Sequence, residues 1–239
     1  MEDESQKTAE AVSKPMLAGI DGYKKGWIAA VELRPGETVV RAYPNFRSIL
    51  DDESLTLIVI DIPIGLLDHG ARTCDVEARR LLGRARGSSV FPSPIRSMLD
   101  AGTWEEACRR RMEQESKKCS KQVVGILPKI REVDRGMTPT MQHRVREGHP
   151  ELCFAMMNQG KPMKSNKRTK EGQEERLSLL LRHFLDIPMQ LQGISGARTD
   201  IIDAYACLWT ARRVVYGKAL SLAADTEVDS KGLKAEIMV

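Results

Sequence analysis

Leu57-Ile58-Val59-Ile60 is an apolar run with three β-branched residues, and it ends on Asp61 before Ile62-Pro63-Ile64-Gly65. Side chains of this kind suit a strand covered on both faces. A carboxylate at its end needs a partner, because an unpaired buried charge is costly. Met16-Leu17-Ala18-Gly19-Ile20-Asp21-Gly22 repeats the pattern near the start of the chain. If the two strands lie side by side, Asp21 and Asp61 meet at one sheet edge. Close carboxylates of this kind favour a divalent cation between them.

The other elements are read from the same alternations. Strands are expected over Leu17–Asp21, Trp27–Leu33 and Thr38–Tyr43, with turns at 22–26 and 34–36, which makes an antiparallel meander. A short helix fits 44–52, and the apolar strand follows over Leu55–Ile62. A helix between two strands favours a parallel crossover, which places the later strand beside the first. Helices are expected over Cys74–Leu82, with Val76, Leu81 and Leu82 on the apolar face, and over Trp104–Lys118. Gly83–Pro94 reads as a loop, and Val123–Val133 has no clear period. A short strand over Arg144–Gly148 precedes a helix with Pro150 near its start and Glu151 in its first turn. Glu174–Phe184 and Thr199–Arg213 complete the helices, separated from the earlier part by a basic loop, Lys161–Lys170. The expected division is a disordered tail over 1–15, a main domain over 16–217 with a helical insertion about 66–142, and a peripheral segment over 218–239.

Composition narrows the class. The chain has 239 residues, 41% hydrophobic and 29% charged, which suits a soluble globule. No apolar run approaches the ~18 residues of a membrane span. The polar, acidic start lacks the pattern of a secretion signal. Five isolated cysteines without a CxxC pair argue against zinc and fit a reducing, cytoplasmic setting. Net charge is only +4, so charge alone does not declare nucleic-acid binding.

The candidate acids are Asp21, Asp61, Glu151, Asp200 and Asp203. Each has a plain alternative. Asp at a strand end is a common turn former, Asp200 suits a helix cap, and Glu151 suits a first helical turn. Asp203 is harder to explain away, since it lies within an apolar helical stretch three residues from Asp200. Arg109-Arg110-Arg111 reads as a solvated helix face.

In order along the chain, an acid on the first strand, one on the fourth and a pair on a late helix resemble the RNase H-like fold of RNase H, Holliday-junction resolvases and transposases. Ile20-Asp21-Gly22 and Asp200-Ile201-Ile202-Asp203-Ala204 carry that resemblance. A closer one covers nearly the whole chain beyond the tail. The motifs are Gly19–Gly22 with Gly26-Trp27, Ile60–Leu66, Arg72–Asp75, Arg79–Gly83, Ser88–Pro94, Pro128–Asp134, His149–Phe154, Glu175–Leu177 and Asp200–Ala204. They resemble the family known as domain of unknown function 429 (DUF429), predicted nucleases with an RNase H-like fold.

The resemblance implies an α/β fold in which an antiparallel three-strand meander joins parallel strands in a mixed sheet flanked by helices. It implies a metal-dependent nuclease that hydrolyses phosphodiester bonds with two Mg2+ (or Mn2+) ions. Asp21, Asp61, Asp200, Asp203 and Glu151 would be the ligands. His149 is a candidate general base or a structural histidine. Arg72, Arg79, Ser88, Ser89, Lys129 and Arg131 could hold the substrate; an Arg–Glu network bracing the insertion, with Asp75, Glu132 and Asp134, is the alternative. The basic loop either grips a nucleic-acid backbone or is simply solvated. The partner would be DNA or RNA, with no membrane, and a homodimer of the resolvase kind stays open. A non-catalytic nucleic-acid-binding or regulatory protein is the second reading. A small-molecule phosphate enzyme is the third, and the Gly-rich phosphate loop it needs is not found.

Overall fold

The computed structural model describes residues 16–239 apart from Gly193 and Asp225. The tail expected over 1–15 lies outside the described residues. In chain order the elements are β1 (Met16–Tyr23), β2 (Gly26–Arg34), β3 (Glu37–Tyr43), α1 (Phe46–Leu50), β4 (Leu55–Ile60), α2 (Thr73–Arg86), α3 (Trp104–Glu115), α4 (Lys121–Gly136) and β5 (Val145–Glu147). They continue with α5 (Pro150–Met157), α6 (Lys170–Leu180), α7 (Ile187–Gln190), α8 (Arg198–Val215), β6 (Ser221–Leu222) and β7 (Ile237–Met238).

The main sheet has the order β3-β2-β1-β4-β5. β1, β2 and β3 form the antiparallel meander, while β1-β4 and β4-β5 are parallel. Side chains alternate between two cores, as the two-residue strand period requires. Ile58 and Ile60 face a layer that includes α1 and α4, with Phe46, Ile49, Leu127, Ile130 and Val133. Leu57 and Val59 face the opposite layer, with Phe154 from α5, Leu180 from α6 and Tyr205 from α8. Helices on both faces explain why the β4 run is apolar throughout rather than alternating.

α8 lies directly on β1. A Cβ added at Gly19 would stand 1.9 Å from the Leu208 backbone nitrogen and 2.1 Å from the Ala204 carbonyl oxygen. No side chain fits between strand and helix there, so glycine sets their spacing.

Several expectations need correction. α2 continues past residue 82; the chain kinks at Gly83, whose φ of +54° falls in the left-handed region, and the helical turn resumes. Its buried side chains include Cys74, Ala78 and Leu82, whereas Val76 and Leu81 are exposed. The face is made of small side chains that a search for large apolar ones passes over. Residues 123–133 lie within α4, where Val123, Leu127, Ile130 and Val133 are buried at helical spacing. Gly125 and Pro128, both poor helix residues, obscured it. The strand at 145–147 ends before Gly148, and the helix expected over 174–184 begins earlier, at Lys170. Cys108 and Cys119 approach with their sulfurs 2.9 Å apart, and all five cysteines are free.

The segment over 218–239 is not peripheral. Leu233, Ala235, Ile237 and Val239 are buried, and Met238 forms a parallel bridge with Gly148 beyond the end of β5. The backbone at 234–235 passes so close to Gly65 that a Cβ there would fall 2.7 Å from the Lys234 oxygen. Deleting residues 233–239 would expose these side chains and the floor they cover, at a cost of ~3 kcal/mol or more. A thermal melt should show the midpoint lowered by roughly 10 °C, using 2–4 °C per kcal/mol for a chain of this size. An unchanged midpoint would contradict the structural role assigned to this segment.

Candidate functional site

The pairing register builds the centre of the site. Ile20 is aligned with Ile60 across the parallel β1-β4 pair, and the Asp61 N–H donates to the Ile20 carbonyl at 2.9 Å. Asp21 and Asp61 therefore follow side by side at the carboxyl ends of neighbouring strands, a usual place for ligands in open α/β sheets. Asp21 Oδ1 accepts from the Gly22 N–H at 2.7 Å. Asp203 arrives from α8 and is fully buried. Asp200, one turn earlier, lines the same cleft.

Lys167 enters this group of acids from the loop between α5 and α6. Its Nζ donates to Asp203 Oδ2 at 2.5 Å, while Asp203 Oδ1 is buried and has no partner. The loop backbone is held in place, while Lys161, Lys164, Arg168 and Lys170 stay exposed. Glu175 accepts from the Lys164 and Ser165 N–H groups at 2.8 and 2.9 Å, and Arg176 donates to the Ser165 carbonyl at 3.1 Å. Arg176 also pairs with buried Glu151 at 2.5 Å, leaving Glu151 Oε2 unbonded. His149 caps α5 at the cleft edge, and its buried Nδ1 has no partner.

Electrostatics follow from burial and crowding. Burial holds Asp21 well above the usual carboxylate range, and Asp61, Asp203 and Asp200 push it further, against Lys167. Burial raises Asp61 to about 7; Lys167 opposes the shift, while Asp203 and Glu151 add to it. Asp200 is raised to about 6 by burial and Asp203, against Lys167 and Lys129. Burial works against the Lys167 charge, but Asp203, Asp21 and Asp61 together hold the ammonium firmly charged. Burial and the Lys167 charge lower His149, so its imidazole is neutral near pH 7.

Not every sequence candidate joins the cluster. Asp21, Asp61, Asp200, His149, Ser88 and Ser89 line a single cleft of about 660 Å3. Glu151 also reaches it but is held by Arg176. Arg72 is buried in ion pairs with Asp75 at 2.5 Å and Glu147 at 2.7 Å. Arg79 donates to the Val90 carbonyl, and Arg131 to the carbonyls of Leu99 and Ala101. These three arginines brace the fold. Lys129 donates to the Gly26 carbonyl at 2.5 Å, lies over the Trp27 ring and lines a smaller pocket next to the cleft. Lys167 was not singled out in the sequence: it is one of five cations in a short loop, and no spacing separates it from the other four.

The donor set is all oxygen, which suits Mg2+ or Mn2+ better than a softer metal. The raised acids and the unbonded Asp203 oxygen are groups that a cation would satisfy. Even so, among the described residues no three His, Cys, Asp or Glu side chains stand in a ready metal-holding arrangement. An ammonium group holds the place among the acids instead.

No curated protein and no solved structure matches the chain. A family model does, over residues 19–228, which takes in both strand acids, the cleft and α8. The chain therefore belongs to the family described as protein of unknown function, DUF429.

Proposed function

We propose that the chain is a metal-dependent nuclease on an RNase H-like fold. The observation that carries this reading is the meeting of Asp21 and Asp61 on adjacent parallel strand ends with Asp203 from α8. The strand order β3-β2-β1-β4-β5 with an antiparallel second strand supports the same fold. Asp21 and Asp61 would hold the metal, with Asp203 completing the set once Lys167 yields Oδ2. The bound ion would polarise the phosphate and lower the pKa of an attacking water. His149, whose buried Nδ1 has no partner, would take a proton from that water. The water oxygen bonds to phosphorus, the phosphorus–oxygen bond to the leaving sugar breaks, and that oxygen takes up a proton. Lys167, on its ordered loop, would keep positive charge beside the phosphate. Ser88, Ser89 and Arg168 on the cleft wall would meet the flanking backbone.

The test is cleavage of single-stranded, duplex, hybrid and four-way-junction substrates with Mg2+ or Mn2+. Wild type is expected to cut at least one, and Asp203→Asn none. Failure of wild type on all four, or equal cutting by both proteins, would overturn the reading. A binding measurement stands beside it. Saturating Mn2+ at pH 8 is expected to raise the melting midpoint by roughly 5–10 °C, the gain for ligand at ~100-fold over its Kd. At pH 5 Asp61 and Asp200 hold their protons, and the shift should shrink.

The Lys167–Asp203 pair favours a second reading, in which the ammonium permanently replaces the metal. The protein would then bind nucleic acid without cutting it. Salt-dependent binding unaffected by Mn2+ or by Asp61→Asn would select that reading.

A further inference from the structure

Beside the cleft, and sharing the acid pair with it, lies a second, smaller chamber of about 250 Å3. Asp21, Asp61, Phe91 and His149 line both the outer cleft and this chamber, so they mark the passage between them. The inner walls include Ile62, Val90 and Ile237, all buried and apolar. Ser93 also lines the chamber; the residue is 8% exposed, and its hydroxyl lies beside the Asp75 carboxylate. Gly125 of α4 forms another part of the wall, and a Cβ built there would meet nothing within 4 Å. Glycine inside a helix costs ~1 kcal/mol relative to alanine. Gly125 is exposed, so it lies at the mouth of the chamber, where no neighbour in the fold requires the missing methyl group.

We propose that this chamber receives the nucleobase of the nucleotide whose phosphate lies at Asp21 and Asp61, an inference that rests on the nuclease reading. The volume is below the roughly 300 Å3 at which whole-ligand pockets begin, so it suits one ring system. Phe91 is half-buried and offers a face on which a base can stack. The Ser93 hydroxyl can donate or accept, as a base edge requires. The inner end is wrong for a phosphate, because the Arg72 guanidinium is already paired to Asp75 and Glu147 and Lys129 Nζ is bonded to Gly26. A base stacked within a duplex has both faces covered by its neighbours and cannot also stack on Phe91. The substrate class is therefore an unpaired, terminal or extruded nucleotide.

Calorimetry in saturating Mn2+ at pH 8 with adenosine 5′-monophosphate, cytidine 5′-monophosphate, ribose 5-phosphate and inorganic phosphate tests the assignment. At least one nucleotide is expected to bind about 10-fold or more tighter than ribose 5-phosphate, and Phe91→Ala to remove most of that difference. Gly125→Leu places an apolar side chain over the mouth of the chamber and should lose nucleotide binding while melting no lower than wild type; Gly125→Ala, a smaller obstruction at the same point, should weaken it less. Equal binding of nucleotide and ribose 5-phosphate would overturn the proposal, as would unchanged nucleotide binding by folded Gly125→Leu. The two readings fail separately. Single-strand cleavage that Gly125→Leu leaves intact removes the chamber alone, whereas chamber-dependent nucleotide binding without cleavage of any substrate removes the nuclease alone.

Discussion

Asp61→Asn is expected to make the protein more stable at pH 8 while abolishing cleavage. The amide keeps the carboxylate's shape and removes its charge. In the folded chain Asp61 holds its proton to about 7, against an ordinary value of 3.8. Between those values the folded state binds a proton that the unfolded state releases, so wild-type stability falls as pH rises from about 4 to 7. Above about 7 the ionised group is present in both states and the loss is complete. The substituted chain lacks this slope. Asp61 is partly reached by solvent, so the gain at pH 8 is about 1–2 kcal/mol rather than the full value of the shift. That corresponds to roughly 2–8 °C in melting midpoint at pH 8, less at pH 5, and nothing near pH 4. Cleavage should fall by roughly 100-fold or more, as when a group that stabilises transition-state charge is lost. Melts of both proteins from pH 5 to 8, without metal, check the first part. Parallel slopes would show that Asp61 is not the strained acid described above.

Gly19→Val is expected to produce the largest loss of stability of any single substitution considered. Even the β-carbon overlaps the α8 backbone at Ala204 and Leu208, and neither peptide group can turn away as a side chain could. Overpacking in a core costs ~1–3 kcal/mol where side chains can adjust, and more is expected where the obstacle is backbone. The relief available is to lift α8 from β1, which carries Asp203 away from Asp21. Gly19→Ala should therefore lower the midpoint by roughly 10 °C and remove the Mn2+ shift, with Gly19→Val failing to fold. Gly125→Ala, placed in open space, should leave the midpoint unchanged or raise it. A Gly19→Ala protein melting with wild type would contradict the close approach of strand and helix.

The centre of the site was legible because it is written in strand pattern. Asp21 and Asp61 each end an apolar run, and parallel pairing of those runs brings the acids together. The meander was equally plain, since its turns carry glycine and its strands are short. What escaped depends on partners distant in sequence. Arg72 could not be told from a phosphate-binding arginine until Glu147, 75 residues away, closed over it. The burial of 233–239 depends on a bridge to Gly148, which no local period signals. Lys167 acquires its role from Asp203 on another element, and Ser93 from a cavity that exists only once α4 is in place. The apolar face of α2 was misread because Cys74 and Ala78 are small, and size rather than hydropathy concealed them.

The seating of α8 on β1 also bears on the order of assembly. The meander can close from contacts between consecutive strands, while Asp203 reaches Asp21 only when residues some 180 positions apart have met. Contacts of such long separation form late, because the intervening chain must first give up its freedom. In a hydrogen-exchange pulse during refolding, the amides of β2 and β3 would gain protection before those of α8. The carboxylates would thus stay apart and hydrated through most of folding, and the cost of crowding them would fall on the final step.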